Sequence, residues 1–203
     1  MLGCTGSDRM RTGIEDGWLV DARHVPSPNC DERPADGIID LIVVHGISLP
    51  PGCYGGPYID QLFTNSLDRH ADPYFAEIAD LQVSAHVLIR RDGSMTQYVP
   101  FDRRAWHAGQ SCFDGRDACN DFSIGIELEG CDDQPYDPLQ YQALAGLLRL
   151  LMQYYPDVSS DRVCGHSDIA PGRKTDPGPC FDWLQLQQLL GMSTPLAGSR
   201  MQT

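Results

Sequence analysis

The sequence contains no apolar stretch long enough to cross a membrane. A transmembrane helix needs about 20 consecutive apolar residues, whereas runs such as Leu41-Ile42-Val43-Val44 have the length of a strand. Positive charge is also scarce, because 15 Lys and Arg residues face 28 Asp and Glu residues and the net charge is −13 at pH 7. An acidic surface repels nucleic acid and anionic lipid. We therefore expect no membrane and no nucleic acid among the partners.

Signals for disulfides and for export are missing as well. The eight cysteines include no Cys-x-x-Cys pair, and they are too sparse for a secreted scaffold held together by disulfides. The segment that ends at Cys4 resembles the end of a lipoprotein cleavage box, but no basic and apolar segments precede it. These absences predict reduced thiols and a cytoplasmic location.

The length and composition indicate one folded domain. A chain of 203 residues with 41% hydrophobic residues can bury a substantial core. Both ends are polar and lack periodicity, which predicts loose tails over residues 1–16 and 193–203. The domain is therefore expected over residues 17–192, and we expect the protein to be a monomer.

Apolar segments predict a sheet at the centre of this domain. Residues 38–45 are almost continuously aliphatic and end at His45, because glycines and prolines follow. Residues 83–99 predict a hairpin. Residues 123–129 alternate with a period of two, so one face carries isoleucine and leucine while the other carries Glu127 and Glu129.

Helices are predicted around this sheet. Residues 138–155 carry an apolar stripe at helical spacing, begin after a capping Asp137 and stop before Pro156. A shorter helix is expected over residues 182–190, and another within residues 59–81. The fold class is thus α/β, a single domain with a mixed central sheet flanked by helices.

Histidines are the first candidates for chemistry. A lone histidine is usually a structural residue, so its neighbours decide its meaning. His166 opens an irregular loop, residues 165–179, which is rich in proline, glycine and charged side chains. Such loops hold catalytic groups on a rigid scaffold.

Several ordered segments carry a family resemblance across residues 24–183. They are residues 45–52, 84–86 with 89–93, 104–109, 120–130 and 165–183. In these segments the sequence resembles the type-2, zinc-dependent N-acetylmuramoyl-L-alanine amidases, and most closely their cytosolic branch, which cleaves 1,6-anhydro-muropeptides. The resemblance implies a type-2 amidase or peptidoglycan-recognition-like fold.

A metal site is the first implication of the resemblance. It implies Zn²⁺ held by His45, His166 and Asp176. Two imidazoles and one carboxylate leave a fourth position open, which is typical of catalytic zinc. Cys164 and Cys180 are rival ligands nearby in sequence, and they rank below Asp176.

The resemblance also implies catalytic roles. Glu127 corresponds to the family's general base, although alternation alone does not choose between Glu127 and Glu129, because both point to one face. Lys174 resembles the lysine that faces the developing oxyanion. Tyr74 matches a tyrosine that positions the substrate or the nucleophile.

Three further residues are expected to line the substrate pocket. Trp106 is a candidate for stacking on the sugar, whereas His86 and His107 are expected to make hydrogen bonds around the metal rather than bind it. Two positions depart from close relatives. Gly46 stands where asparagine usually follows the first metal histidine, which removes a possible amide contact to the sugar, and Ser167 stands where cysteine is common.

These residues predict a hydrolase that cleaves the amide between anhydro-N-acetylmuramic acid and L-alanine of a small muropeptide during cytosolic peptidoglycan recycling. By resemblance, this activity also controls the muropeptides that induce β-lactamase. One alternative is an exported or phage-type amidase that acts on the intact cell wall. Another is a peptidoglycan-recognition module that binds without cleaving, and members of that class lack a full set of metal ligands.

Overall fold

The computed structural model describes residues 13–35 and 37–200. In chain order, the strands are β1 (Ile14–Glu15), β2 (Trp18–Leu19), β3 (Arg23–His24), β4 (Cys30–Glu32), β5 (Leu41–Ile47), β6 (Val87–Ile89), β7 (Met95–Gln97), β8 (Arg103–Ala105), β9 (Cys112–Phe113), β10 (Arg116–Asp117), β11 (Ser123–Glu129) and β12 (Val163–Gly165). The helices are α1 (Tyr58–Phe63), α2 (Phe75–Ile78), α3 (Pro138–Tyr154), α4 (His166–Ile169), α5 (Trp183–Leu190) and α6 (Ala197–Arg200).

A six-stranded sheet forms the centre, in the order β12-β5-β11-β6-β7-β3. Strands β12, β5, β11 and β6 run parallel to one another, whereas β7 is antiparallel to β6 and β3 is parallel to β7. The other described strands form the pairs β1-β2, β4-β8 and β9-β10. The predicted mixed α/β architecture is therefore confirmed.

Both faces of the central strands are covered. Every residue of β11 is buried, which is typical of a parallel strand with packing on both sides. The predicted apolar face packs against α3, where Ile126 and Leu128 share a core cluster with Leu144 and Leu148. The opposite face of β11 is therefore an interior surface rather than a solvated one.

Helix α3 begins and ends where its sequence predicts. The Asp137 side chain accepts from the backbone N–H of Leu139, and the Gln140 side chain accepts from the N–H of Asp137, so a capping box is present. The Gln140 amide also donates to the carbonyls of Ile89 and Glu129. One buried glutamine thus joins the start of the helix to the ends of two strands.

The segment between residues 59 and 81 forms two short helices instead of one. Helix α1 starts at Tyr58 and ends at Phe63, and α2 starts only after Pro73 and Tyr74. Helix α1 stops before Asn65, whose φ of 58° lies in the left-handed region and does not continue a right-handed helix. Pro73, which disfavours helix interiors, precedes the start of α2. No described helix is long and apolar enough to span a bilayer.

The two predicted tails are shorter than expected where the structure describes them. Ile14 is buried in β1, which pairs with β2, and Leu196 is fully buried just before α6. These apolar side chains gain free energy by leaving water, so residues 13–16 and 193–200 belong to the folded unit. Residues 1–12, including Cys4, and residues 201–203 lie outside the described residues.

Candidate active site

Three neighbouring strands end at the same edge of the sheet. In the parallel register Glu127 of β11 lies beside His45 of β5, and Gly165 of β12 lies beside Val44. His166 follows Gly165 directly. The carboxyl ends of parallel strands are the usual place for ligand sites in α/β folds.

His45, His166 and Asp176 converge on one point at this edge. The two Nδ1 atoms of the histidines lie 3.0 Å apart, and each lies 3.1 Å from Oδ2 of Asp176. Among the described residues these three form the grouping that could hold a metal ion, and neither Cys164 nor Cys180 belongs to it. The sulfur of Cys164 instead faces the backbone carbonyl of Ile42.

The donor atoms fit a divalent cation. Nε2 of His166 lies 3.1 Å from the backbone oxygen of Ala108, which can only accept a hydrogen bond. Nε2 of His166 therefore carries the proton, and the lone pair on Nδ1 faces the convergence point. Two imidazole nitrogens and a carboxylate oxygen are a donor set that zinc accepts.

The protonation states suit metal binding. Burial lowers the pKa of His45 to about 4, although the Asp176 carboxylate beside it opposes the shift. Burial alone would raise the pKa of Asp176, but the imidazoles of His166 and His45 next to it hold that pKa below its usual value. At neutral pH the site therefore presents an uncharged imidazole at His45 and an ionised carboxylate at Asp176.

Glu127 is buried beside this group and lacks a partner. Its Oε2 atom is inaccessible and has no hydrogen bond among the described residues. Burial, and then the charge of Asp176, raise the pKa of Glu127 well above its usual value, while Lys174 opposes the shift. A carboxylate with a raised pKa binds a proton more tightly than a free glutamate does, which suits a group that accepts a proton during a reaction.

Glu129 points to the same side of β11, but its oxygens are occupied. Oε1 accepts from the backbone N–H of Gly55 at 2.6 Å and from Nη1 of Arg90 at 2.8 Å. Oε2 lies 3.4 Å from the backbone nitrogen of Arg91. The two carboxylates therefore differ in their contacts. Glu127 is available for chemistry, whereas Glu129 joins two loops to the sheet.

A cleft of about 570 Å³ opens above the converging side chains. Eight of the predicted site residues line it, namely His45, Tyr74, Trp106, His107, Glu127, His166, Lys174 and Asp176. Lys174 is exposed in the loop that leads to Asp176, and Tyr74 is 37% exposed just before α2. The Trp106 indole N–H donates to Asp31 at 3.1 Å, so the indole is fixed in orientation while it contributes to the wall.

The prediction that His86 lines the pocket is not supported by its position. His86 is fully buried and lies behind His107, with 5.8 Å between the ring centroids. Its Nδ1 accepts from the backbone N–H of Gly125. His107 stands between His86 and the cleft, and Nδ1 of His107 lies 2.9 Å from Nε2 of His45.

Two arginines that the sequence analysis did not single out support the site. Arg173 donates to the backbone oxygens of Ala108 and Gln110 at 2.7 and 2.6 Å, which ties the Asp176 loop to the loop after His107. Arg33 is partly buried and donates to backbone carbonyls that include those of Phe101 and Ser123. No signal marked these roles in advance, because the acceptors are main-chain oxygens distant in sequence.

Gly46 lies directly beneath the hydroxyl of Tyr136. A Cβ atom at position 46 would overlap that hydroxyl, which donates to the backbone oxygen of Pro177 at 2.9 Å. Glycine at position 46, where close relatives usually have asparagine, therefore leaves room for Tyr136 to lie between β5 and the loop that contains Asp176.

Comparison with known proteins gives consistent matches. The family model "N-acetylmuramoyl-L-alanine amidase" matches residues 35–179. The 1,6-anhydro-N-acetylmuramyl-L-alanine amidase AmpD of Escherichia coli strain K12 is 60% identical over 181 residues, which cover 89% of this chain and 98% of that protein.

Solved structures match as well. A crystal structure of a selenomethionine derivative of AmpD has a TM-score of 0.85 and 58% identity, covering 87% of this chain and 98% of that chain. The E. coli amidase AmiD, in complex with anhydro-N-acetylmuramic acid-L-Ala-D-gamma-Glu-L-Lys, has a TM-score of 0.57 and 30% identity, covering 90% of this chain and 66% of that one.

The two carboxylates of β11 should respond in opposite ways to neutralisation. In metal-free protein, we expect Glu127→Gln to keep or raise the free energy of unfolding, because it removes a buried, unpartnered carboxylate. Glu129→Gln should lower that free energy by about 2–4 kcal/mol, because it breaks a buried ion pair. Urea denaturation of both variants measures the difference, and a stable Glu129→Gln beside a destabilised Glu127→Gln would exchange the two assignments.

The pH dependence gives the same experiment a second readout. The folded protein binds the Glu127 proton more tightly than the unfolded chain, since the pKa of Glu127 is raised in the fold. Glu127 therefore contributes a loss of stability as pH rises above the ordinary glutamate pKa toward the folded value, whereas the buried His45, His86 and His107, whose pKa values are lowered, contribute a gain. Glu127→Gln lacks this loss, so its advantage should be greater at pH 8 than at pH 5.

Proposed function

Since the chain belongs to the N-acetylmuramoyl-L-alanine amidase family and is an enzyme of that class, we propose that it is a zinc-dependent hydrolase of anhydro-muropeptides. The bond cleaved is the amide between the lactyl group of 1,6-anhydro-N-acetylmuramic acid and L-alanine. The observation that carries the proposal is the convergence of His45, His166 and Asp176 beside the unpartnered oxygen of Glu127.

His45, His166 and Asp176 would hold the zinc ion. The chemistry that such an ion supplies is polarisation of an amide carbonyl and a lowered pKa of water, toward about 7. Both effects are needed, because an amide is a poor electrophile and water is a poor nucleophile.

Glu127 moves the proton. It takes a proton from the attacking water as the C–O bond forms, and it delivers that proton to the amine nitrogen of L-alanine as the C–N bond breaks. The buried position supports this role, because the raised pKa of Glu127 favours temporary protonation. The products are the free lactyl carboxylate and the released peptide.

Exposed residues of the cleft complete the site. The Lys174 ammonium opposes the negative charge that develops on the carbonyl oxygen, an interaction that is stronger in the transition state than in the substrate. Tyr74, which also lines the cleft, orients the substrate. Trp106 presents an aromatic surface to the sugar, and His107 acts through His45 rather than on the substrate.

The substrate assignment follows the activity for which the AmpD relative is named, since the two proteins share 60% identity over nearly the whole length of that relative. We place the enzyme in cytosolic peptidoglycan recycling, acting as a monomer on small muropeptides. Removal of these muropeptides would limit β-lactamase induction. A wall-lytic amidase is the competing enzyme function, and a binding module without catalysis is the competing class.

The metal ligand in the loop can be identified by substitution. Asp176→Ala should lose zinc, because it removes one of the three converging donors, whereas Cys180→Ser should keep about one zinc per chain. Elemental analysis of the purified variants measures both. Active wild-type enzyme with far less than one zinc per chain would contradict the proposal, and the reverse pattern would make Cys180 the ligand.

The catalytic roles predict a distinct kinetic pattern. Glu127→Gln should retain zinc and fold but lose about 10²–10⁴-fold in kcat, as expected for a missing general base. Lys174→Ala should lose about 10²–10³-fold in kcat with little change in KM. Steady-state kinetics on anhydro-muropeptide, with Glu129→Gln as the matched control, test this. A pure KM effect at Lys174 would make it a binding residue only.

Substrate choice separates the recycling enzyme from a wall-lytic amidase. A reducing N-acetylmuramic acid adds a hydroxyl, and leaving one hydroxyl unpaired in the bound state costs roughly 1–3 kcal/mol. We therefore expect kcat/KM to favour the anhydro compound by at least about tenfold. Equal values for the matched pair, or faster release of peptide from insoluble wall, would favour the wall-lytic function.

A further inference from the structure

A continuous line of hydrogen bonds connects the backbone of Cys119 to His45. The Ser123 hydroxyl oxygen lies 2.6 Å from the backbone oxygen of Cys119 and 3.2 Å from Nε2 of His107. Nδ1 of His107 lies 2.9 Å from Nε2 of His45. Ser123 is fully buried, and His45 is 1% exposed, so the line is sheltered from solvent.

The direction of each hydrogen bond follows from its fixed end. The carbonyl of Cys119 can only accept, so it takes the single hydroxyl hydrogen of Ser123. The Ser123 oxygen is then left to accept from Nε2–H of His107. A neutral imidazole has one N–H, so Nδ1 of His107 is the acceptor for Nε2–H of His45. The other nitrogen of His45, Nδ1, is left with its lone pair.

We propose that Ser123 and His107 are positioning residues that hold His45 in the Nε2–H tautomer, with the lone pair of Nδ1 facing His166 and Asp176. The inference rests on the proposed metal site and extends it to residues outside the set of metal ligands. Hydrogen-bond partners of ligating histidines fix ring orientation and tautomer, and their loss typically costs about 10–100-fold in metal affinity.

The surroundings of His107 hold its ring in place for this role. The backbone N–H groups of His107 and Ala108 both donate to the side-chain oxygen of Asn120, at 3.1 and 2.8 Å. Gly125 of β11 lies under the ring, and a Cβ there would approach Nδ1 of His107 to 2.6 Å. The glycine therefore leaves the slot that the imidazole fills.

The two metal histidines differ in how the tautomer is set. His166 donates directly to a backbone carbonyl, that of Ala108, so no side chain intervenes. His45 reaches a backbone carbonyl only through His107 and Ser123. Substitution of His107 or of Ser123 can therefore change the tautomer of His45, which makes the inference testable.

Two substitutions of His107 distinguish the effect of the hydrogen-bond acceptor from the effect of side-chain packing. The side-chain oxygen of asparagine can lie near the position of imidazole Nδ1, whereas the terminal amide of glutamine lies near Nε2. His107→Asn keeps an acceptor for His45, so its zinc affinity should stay near that of the wild type. His107→Gln and Ser123→Ala should lose about 10–100-fold in zinc affinity.

Zinc affinity is measured by competition with a chromogenic chelator, and circular dichroism establishes that each variant is folded. Ser27→Ala is the matched control, because Ser27 is also a buried serine that donates to a backbone carbonyl, that of Phe63, and its hydroxyl bonds to no member of the line from Cys119 to His45. Unchanged zinc affinity in both Ser123→Ala and His107→Gln would overturn the inference. So would equal losses in His107→Asn and His107→Gln.

A second readout does not require zinc. Ring ¹⁵N spectra of metal-free protein should show His107 protonated at Nε2, and Ser123→Ala should shift that proton toward Nδ1. If the wild type binds no zinc but His107 has this tautomer, the proposed function fails and the hydrogen-bond line stands. If the wild type binds zinc and His107 is protonated at Nδ1, the inference fails and the proposed function stands.

Discussion

The parallel register of β5 with β11 and β12 is the constraint on which the site depends. It brings His45, Glu127 and the residue after Gly165 to one edge of the sheet, although they are far apart in sequence. A one-residue slip of β11 would turn Glu127 to the opposite face. The apolar face packed on α3 opposes that slip, since Ile126 and Leu128 would lose their buried positions. Core packing and catalytic geometry are thus fixed by the same contacts.

Local sequence signals predicted the elements well where those signals are strong. The capping box before α3 depends on adjacent residues, so the sequence contains the information needed to place it. The strand expected over residues 38–45 instead runs from Leu41 to Ile47, because pairing with β11 continues past His45. The tails were misjudged at Ile14 and Leu196, because single apolar residues in a polar context show no periodicity. Their burial depends on partners elsewhere in the chain, namely β2 and the end of the sheet.

The candidate site was predictable in its members but less so in its contacts. Period-two alternation places Glu127 and Glu129 on the same face and does not distinguish them. The difference comes from Arg90, which forms an ion pair with Glu129 and is remote from it in sequence. The sequence likewise does not show which way His86 faces, because a histidine beside a strand can face either the cleft or the interior. The family resemblance supplied the candidates. The hydrogen-bond partners, which only the folded chain brings together, distinguish side chains that are available to a ligand in the cleft from side chains that hold the surrounding structure in place.

The backbone oxygen of Ala108 accepts from both His166 and Arg173. Through this one atom the histidine, the loop that carries Asp176 and the loop after His107 are joined. The contact belongs to the main chain, so replacing the side chain at position 108 does not delete it. Substitution at position 108 would therefore leave this junction intact, and alanine scanning would detect it only through the side chains that donate to it, His166 and Arg173.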